Sequence, residues 1–335
     1  VPVGEDDVMR TEIVELASAL VAIDSVNPSL VPGGAGEREI AAFVERWAQA
    51  AGLEAELREA TPGRPSVVVR ARGTGGGSTL LLCGHTDTVS VDGMTDPHVP
   101  RVEGDRLHGR GAYDMKAGLA AALVACRHAA GLGLAGDVVV AAVADEEHAS
   151  LGVQEVLRGL RADAAIVTEP TGLEITIAHK GFVWSRVVVE GHAAHGSRPD
   201  VGVDAIVHAG PLLTAIGELD VALHERTHPL LGRGSIHAST IAGGVELSSY
   251  PERCVIGLER RTLPGETDAS VEAELAAVLG RWRDGDPARV GRQETLLVRE
   301  PFEVSPDAEI VATLQAAARA VAGPGPIAPA GAGLG

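Results

Sequence analysis

Aromatic side chains are nearly missing from this chain: three Trp, two Tyr and three Phe in 335 residues. Its cores must therefore be assembled mainly from Ala, Val and Leu. Cysteine is equally sparse. Cys83, Cys126 and Cys254 stand far apart in apolar surroundings, and so odd and scattered a count excludes a disulfide framework and fits reduced core thiols in the cytoplasm. Positive charge is in deficit, with 28 Lys and Arg against 46 Asp and Glu and a net charge of −18, which argues against nucleic acid or an anionic membrane as partner. No stretch approaches the roughly 20 apolar residues of a membrane span. The first ten residues carry Glu5, Asp6 and Asp7 and no basic n-region, so they do not read as a secretory signal. A G-x-S-x-G elbow is absent, which speaks against a serine hydrolase. Gly131-Leu132-Gly133-Leu134-Ala135-Gly136 has dinucleotide-binding spacing, but it follows a helical segment and precedes a strand, the reverse of the required context.

What the chain does have is a set of imidazole and carboxylate groups placed where strand-like runs end or a helix begins. Leu80–Cys83 leads into His85-Thr86-Asp87, Val138–Val143 into Glu146-Glu147, and Ala165–Val167 into Glu169, while Asp114 precedes a small-residue helix. In an open α/β sheet the carboxyl ends of parallel strands open onto one crevice, so these residues can converge there. Clustered carboxylates repel one another unless a cation neutralises them, and imidazole with carboxylate oxygen suits zinc. Taken singly, each has a plainer reading: Asp114 as a helix cap, Glu146-Glu147 as a solvated turn, Cys83 as a packed core thiol.

Apolar periodicity predicts helices at 5–23, 37–51, 115–130 and 150–160, and strands at 66–71, 79–84, 137–144 and 164–168. Strands alternating with helices argue for a mostly parallel sheet covered on both faces. From about residue 175 the pattern changes to extended segments at 175–190, 235–242 and 252–262 with helices at 203–217 and 268–283, an α+β unit. A strand near 294–298 and a helix over 306–322 are expected to rejoin the first domain. The expected organisation is thus a catalytic domain of residues 1–176 and 295–335, with an inserted smaller lid or dimerisation domain at 177–294.

Four motifs, Gly84-His85-Thr86-Asp87-Thr88-Val89, Gly109-Arg110-Gly111-Ala112-Tyr113-Asp114-Met115-Lys116, Asp145-Glu146-Glu147 and Thr168-Glu169-Pro170, occur in the order of the M20 metallopeptidases, and over essentially its whole length the chain resembles that family. The group covers acetylornithine deacetylase, succinyl-diaminopimelate desuccinylase, aminoacylase-1 and carboxypeptidase G2-like enzymes. The resemblance implies two zinc ions per subunit, with Co2+ or Mn2+ as substitutes. His85 and Glu169 would bind one, Glu147 the other, and Asp114 both; Asp87 would orient the His85 ring, and Glu146 would be the general base. Gly191-His192-Ala193-Ala194-His195-Gly196 looks like the family's lid and dimerisation segment, which implies that His195 stabilises the developing oxyanion in a partner subunit. His192 reads as a loop residue. In Leu258-Glu259-Arg260-Arg261-Thr262 the resemblance implies that Arg261 grips a substrate carboxylate, with Arg260 as fallback. Where many relatives have an asparagine after Gly243-Gly244, this chain has Ser248-Ser249.

The family's second zinc also takes a histidine near the C-terminus, whereas the last histidine here is His237. The expectation is that such a histidine follows beyond Gly335. These features together predict a cytoplasmic, homodimeric zinc hydrolase that cleaves the amide bond of an N-acyl-L-amino acid. The alternatives are a dipeptidase or carboxypeptidase on the same site, or a non-catalytic ligand-binding member lacking the metal histidine.

Overall fold

The computed structural model describes residues 5–322 and 329–332; the remainder of the Gly- and Pro-rich end predicted as a loop lies outside the described residues. The chain divides into two compact units, Val1–Gly172 and Leu173–Gly335.

In the first unit a five-stranded sheet has the order Glu54–Arg58, Ser66–Ala71, Val138–Val143, Leu80–His85, Ala164–Val167. The last three run parallel, and the antiparallel pairings at the other edge leave Ser66–Ala71 as the one strand of the sheet with opposite direction. Because successive strand residues face opposite ways, continuous apolar strands must be covered twice. Val67, Val69, Leu82, Val140 and Ala142 pack with Leu20, Ile40, Val44, Leu119 and Leu123 from helices Glu5–Val21, Arg38–Ala50 and Ala117–Ala130. Their neighbours Val68, Leu81, Cys83, Val139, Ala141 and Val143 pack on the other face with Val156 of helix Leu151–Gly159. Cys83 is thus a core thiol, and burial pushes its pKa up to about 12. The α/β architecture with helices on both faces is as the periodicity predicts.

The second unit holds a four-stranded antiparallel sheet in the order Ser235–Gly243, Arg253–Thr262, Gly181–Glu190, Val290–Arg299. Val183, Val187, Val189, Ile256 and Leu258 meet Leu212 and Ile216 of helix Ala205–Leu223 and Leu275, Leu279 and Trp282 of helix Asp268–Asp284. Both helices start on side-chain caps, Asp204 accepting from the Val207 N–H and Thr267 pairing reciprocally with Ser270. Strand Val290–Arg299 extends across residue 294, the end expected for this domain, and pairs along Gly181–Glu190. Ile175–His179 carries Phe302–Glu303 and Pro329–Ala332 as sheet partners, and Val311 of helix Glu309–Ala322 packs on its Ile175 and Ile177.

One helix departs from the sequence expectation. Ala205–Leu223 runs past Gly217, where the periodicity predicted its end, and by length and composition alone it could cross a membrane. The expectation that no segment approaches that length is corrected. Ala205, Ala209, Leu212, Ile216 and Leu223 are buried in this unit's core, so one face of the helix serves as a layer over the sheet.

Candidate metal centre

The register of the parallel strands determines which residues meet. His85 is the last residue of its strand and lies opposite Val143, so Thr86-Asp87 runs beside the turn Ala144–Glu147. On the other side Cys83 pairs with Val167, which brings Glu169 to the same end. Asp114 arrives on an irregular turn, Ala112–Lys116, in which its own backbone is extended (φ −120°, ψ 102°) and the Asp114–Met115 peptide is cis. Two glycines let this turn approach. Gly111 has φ +78°, and a Cβ there would meet Thr88 at 2.9 Å; a Cβ on Gly118, just after the turn, would lie 2.2 Å from the Thr168 carbonyl oxygen.

These elements bring His85, Asp114 and Glu169 together, one ligand atom from each within 4.8 Å of the others. The His85 Nε2 lies 3.0 Å from Asp114 Oδ1, 3.6 Å from Glu169 Oε1 and 3.9 Å from Glu146 Oε2. His85 is buried, while Asp114 and Glu146 are about half exposed, so the ring forms the floor and the carboxylates the rim. The other ring nitrogen, Nδ1, is 2.9 Å from the Asp87 carbonyl oxygen and 3.5 Å from its carboxylate. The shorter contact is to backbone. The Asp87 carboxylate instead accepts the N–H groups of Glu146 (3.0 Å) and Glu147 (3.2 Å) and the Asn27 side-chain amide (2.7 Å).

Electrostatics favours a cation among these groups. Burial raises the Glu169 carboxyl to about 7, with Glu146, Asp114 and Glu147 adding repulsion and His85 opposing. Burial likewise raises Glu147 to about 7, eased by His85 and worsened by Asp114, Glu146 and Asp87. At His85 burial disfavours the charged ring, but hydrogen bonds to Asp114 and Asp87 and the nearby Glu169 outweigh it and hold the pKa well above the ordinary value. One imidazole nitrogen, carboxylate oxygens within ligand distance of it, and acids that cannot all ionise together fit a divalent cation of the zinc class. Glu147 stands outside the tight trio but shares its charge field.

A buried network behind the site was not legible in the sequence. The Arg64 guanidinium donates to Glu37 through Nε (2.7 Å) and Nη2 (2.6 Å), and Nη2 also reaches Asp145 Oδ1 at 2.7 Å. The Asn27 amide bridges Asp145 (3.1 Å) and Asp87 (2.7 Å). Asn27, Glu37, Asp87 and Asp145 are fully buried, and Arg64 nearly so. Of these, Asp87 is itself an expected site residue and Asp145 lies next to another, Glu146.

The remaining candidates lie in the second unit. His195 is exposed on a loop, its Nδ1 2.9 Å from Ser197 Oγ and its backbone bridged to Ser249. Arg260 is 1 % exposed and engaged with Glu266 (2.7 Å) and Glu274 (3.2 Å), which removes the fallback carboxylate ligand from consideration. Arg261, on the opposite strand face, pairs with Glu259 at 3.0 Å and lies over the Phe182 ring at 5.3 Å.

Comparison with known proteins agrees with this chemistry. Residues 81–334 match the sequence model of peptidase family M20/M25/M40. The chain is 29% identical over 319 residues to an acetylornithine deacetylase of Klebsiella pneumoniae (strain 342), covering 90% of this chain and 81% of that protein. Its fold is similar to that of an M20 family metallo-carboxypeptidase from Sulfolobus solfataricus (TM-score 0.76, 20% identity, 96% of this chain and 86% of that one). It is also similar to a dinuclear metal-binding M20 peptidase of Bacillus subtilis (TM-score 0.70, 15% identity, 98% and 85%).

Proposed function

This chain belongs to peptidase family M20/M25/M40, a metallohydrolase acting on amide or peptide bonds, and on that premise we propose that it is a zinc-dependent deacylase of N-acyl-L-amino acids. The observation that carries the reading is the meeting of His85, Asp114 and Glu169 at one strand end, with Glu146 3.9 Å from the His85 ring. The 29% identity with an acetylornithine deacetylase supports the acyl-amino-acid class over a peptide.

His85 and Glu169 would hold one zinc ion, Asp114 would bridge, and Glu147 would serve a second. Bound there, zinc would supply Lewis acidity to the scissile carbonyl and to the attacking water. Glu146, at the rim of the site, takes the proton from the attacking water and delivers it to the departing amine nitrogen. Its neighbour Glu147 leaves the chain in another direction, so one glutamate can serve the metal and the other the proton. Asp87 holds both backbones and the ring of His85. The resemblance of their segments supports His195 as an oxyanion donor supplied to a second copy and Arg261 as the ligand of the substrate carboxylate, a bidentate match for its guanidinium.

Homodimerisation is part of the proposal. Strand Ser235–Gly243 is a sheet edge exposed from His237 onward, and Ile206, Val207 and Val221 of the neighbouring helix Ala205–Leu223 are also exposed. An exposed edge strand beside apolar side chains is a template for pairing with another chain. An inserted lid within a catalytic domain belongs to the same proposal, with the lid's end moved from residue 294 to beyond strand Val290–Arg299, which lies wholly in the second unit's sheet. So does a cytoplasmic location, which the sparse, odd cysteine count supports.

The test assays N-acetyl-L-ornithine, N-succinyl-diaminopimelate and a set of dipeptides side by side with the zinc-loaded protein. Preference for an N-acyl amino acid by at least about tenfold in kcat/KM is expected, a difference of about 1.4 kcal/mol in transition-state binding. Preference for dipeptides would replace the deacylase reading with a peptidase, and metal binding without turnover on any of them would overturn both.

A further inference from the structure

We propose that Arg64, clamped by Glu37, is a positioning residue of the reaction: it holds the Asp145–Glu147 turn so that Glu146 and Glu147 present their carboxylates correctly. The inference rests on the metal-centre reading but names residues on which that reading does not draw. Arg64 and Glu37 are not themselves among the residues gathered at the rim. They act through two connections.

The first is direct. Arg64 Nη2 donates to Asp145 Oδ1 at 2.7 Å, and the Asp145 N–H donates to Glu37 Oε1 at 3.2 Å, so the arginine–glutamate pair grips both the side chain and the backbone of Asp145. Asp145 has φ +63°, a left-handed conformation that a non-glycine residue keeps only when its surroundings enforce it. Its Oδ2 also accepts the Ala149 N–H at 3.2 Å, which closes the far side of the turn. The second connection runs through Asn27, whose amide joins Asp145 to Asp87, and Asp87 in turn accepts the N–H groups of Glu146 and Glu147. The turn bearing the base and one metal ligand is thus held from behind by five buried polar side chains.

Charge explains why an arginine stands there. Three fully buried carboxyl groups, Glu37, Asp87 and Asp145, share the network, and Arg64 is the cation bonded to two of them. Its fork spans Glu37 with two parallel bonds while Nη2 also reaches Asp145, and Nη1 donates to Ser29 Oγ at 2.9 Å. A lysine would keep the charge but lose that fork.

The test compares wild type with Arg64→Lys and, should that variant not fold, Glu37→Gln, which keeps the side-chain shape and an acceptor for the Asp145 N–H. Three quantities are read: the affinities of successive Zn2+ ions by competition with a chromophoric chelator, kcat and KM on N-acetyl-L-ornithine, and amide exchange in the metal-free protein. The proposal expects kcat to fall by about 10- to 100-fold with KM nearly unchanged, the usual scale for groups that orient metal ligands. It expects the affinity for the Zn2+ ion that Glu147 would hold to drop by a similar factor while the affinity for the ion at His85 and Glu169 holds. The Glu146 and Glu147 amides should exchange faster, with those of Val139 and Val140 unchanged. A variant with lower melting temperature but wild-type kcat, Zn2+ affinities and turn exchange would assign Arg64 to stability alone and overturn the proposal. Should wild type bind zinc yet hydrolyse none of the substrates, the deacylase reading fails while the zinc and exchange measurements still decide the role of Arg64.

Discussion

At the scale of single residues, Glu147 and Glu169 make the stability of the metal-free protein depend on pH. Both carboxyl groups are raised to about 7 in the folded chain from an ordinary value of 4.5. Between those values the folded chain holds protons that the unfolded chain has released, so stability falls as pH rises through that window and stays lower above it. His85, its pKa also raised, contributes in the same direction: its stabilisation is present below its unfolded pKa and is lost as pH climbs through the folded value. The metal-free protein is therefore expected to melt at a lower temperature at about pH 7.5 than at about pH 5, and Zn2+ added at the higher pH should reverse the loss, because the ligands bind it deprotonated. Calorimetry with and without a chelator checks this. A melting temperature that is flat or rises over that range in the metal-free protein contradicts the charge assignment at the rim.

At the scale of elements, legibility followed periodicity. The strands ending at His85, Val143 and Val167 could be read because apolar runs of strand length stop abruptly at polar residues, and parallel register then sets those ends side by side. The choice between Arg260 and Arg261 was also within reach. Burial alternates along Arg253–Thr262, which sends Arg260 inward with Ile256 and Leu258 and leaves Arg261 on the other face. Helix Ala205–Leu223 extends beyond the expected end at 217 because Leu219 and Leu223 continue the packed stripe. The network of Asn27, Glu37, Arg64 and Asp145 had no readable pattern. Its members are up to 118 positions apart and meet only because two loops and a helix start are folded against one strand end. Sequence spacing carries information along one helix or strand, but not between elements so far apart in the chain.

For the molecule as a whole, the exposed edge strand Ser235–Gly243 and the apolar side chains beside it predict a dimer. Light scattering at micromolar concentration should give twice the chain mass, and the pair Val207→Asp and Ile241→Asp, both at exposed positions, should give a monomer that keeps its metal but loses turnover. A monomeric wild type with full activity would contradict both the dimer and the donation of His195 to a second copy. The central claim is that this chain hydrolyses an amide bond with Glu146 as the proton carrier at a metal centre built on His85, Asp114 and Glu169. The most direct test is the turnover of Glu146→Gln at metal content equal to wild type. The account predicts a fall in kcat on the order of 10²- to 10⁴-fold, the scale of general acid–base catalysis, with metal retained. Near-normal turnover in that metal-loaded variant would contradict it.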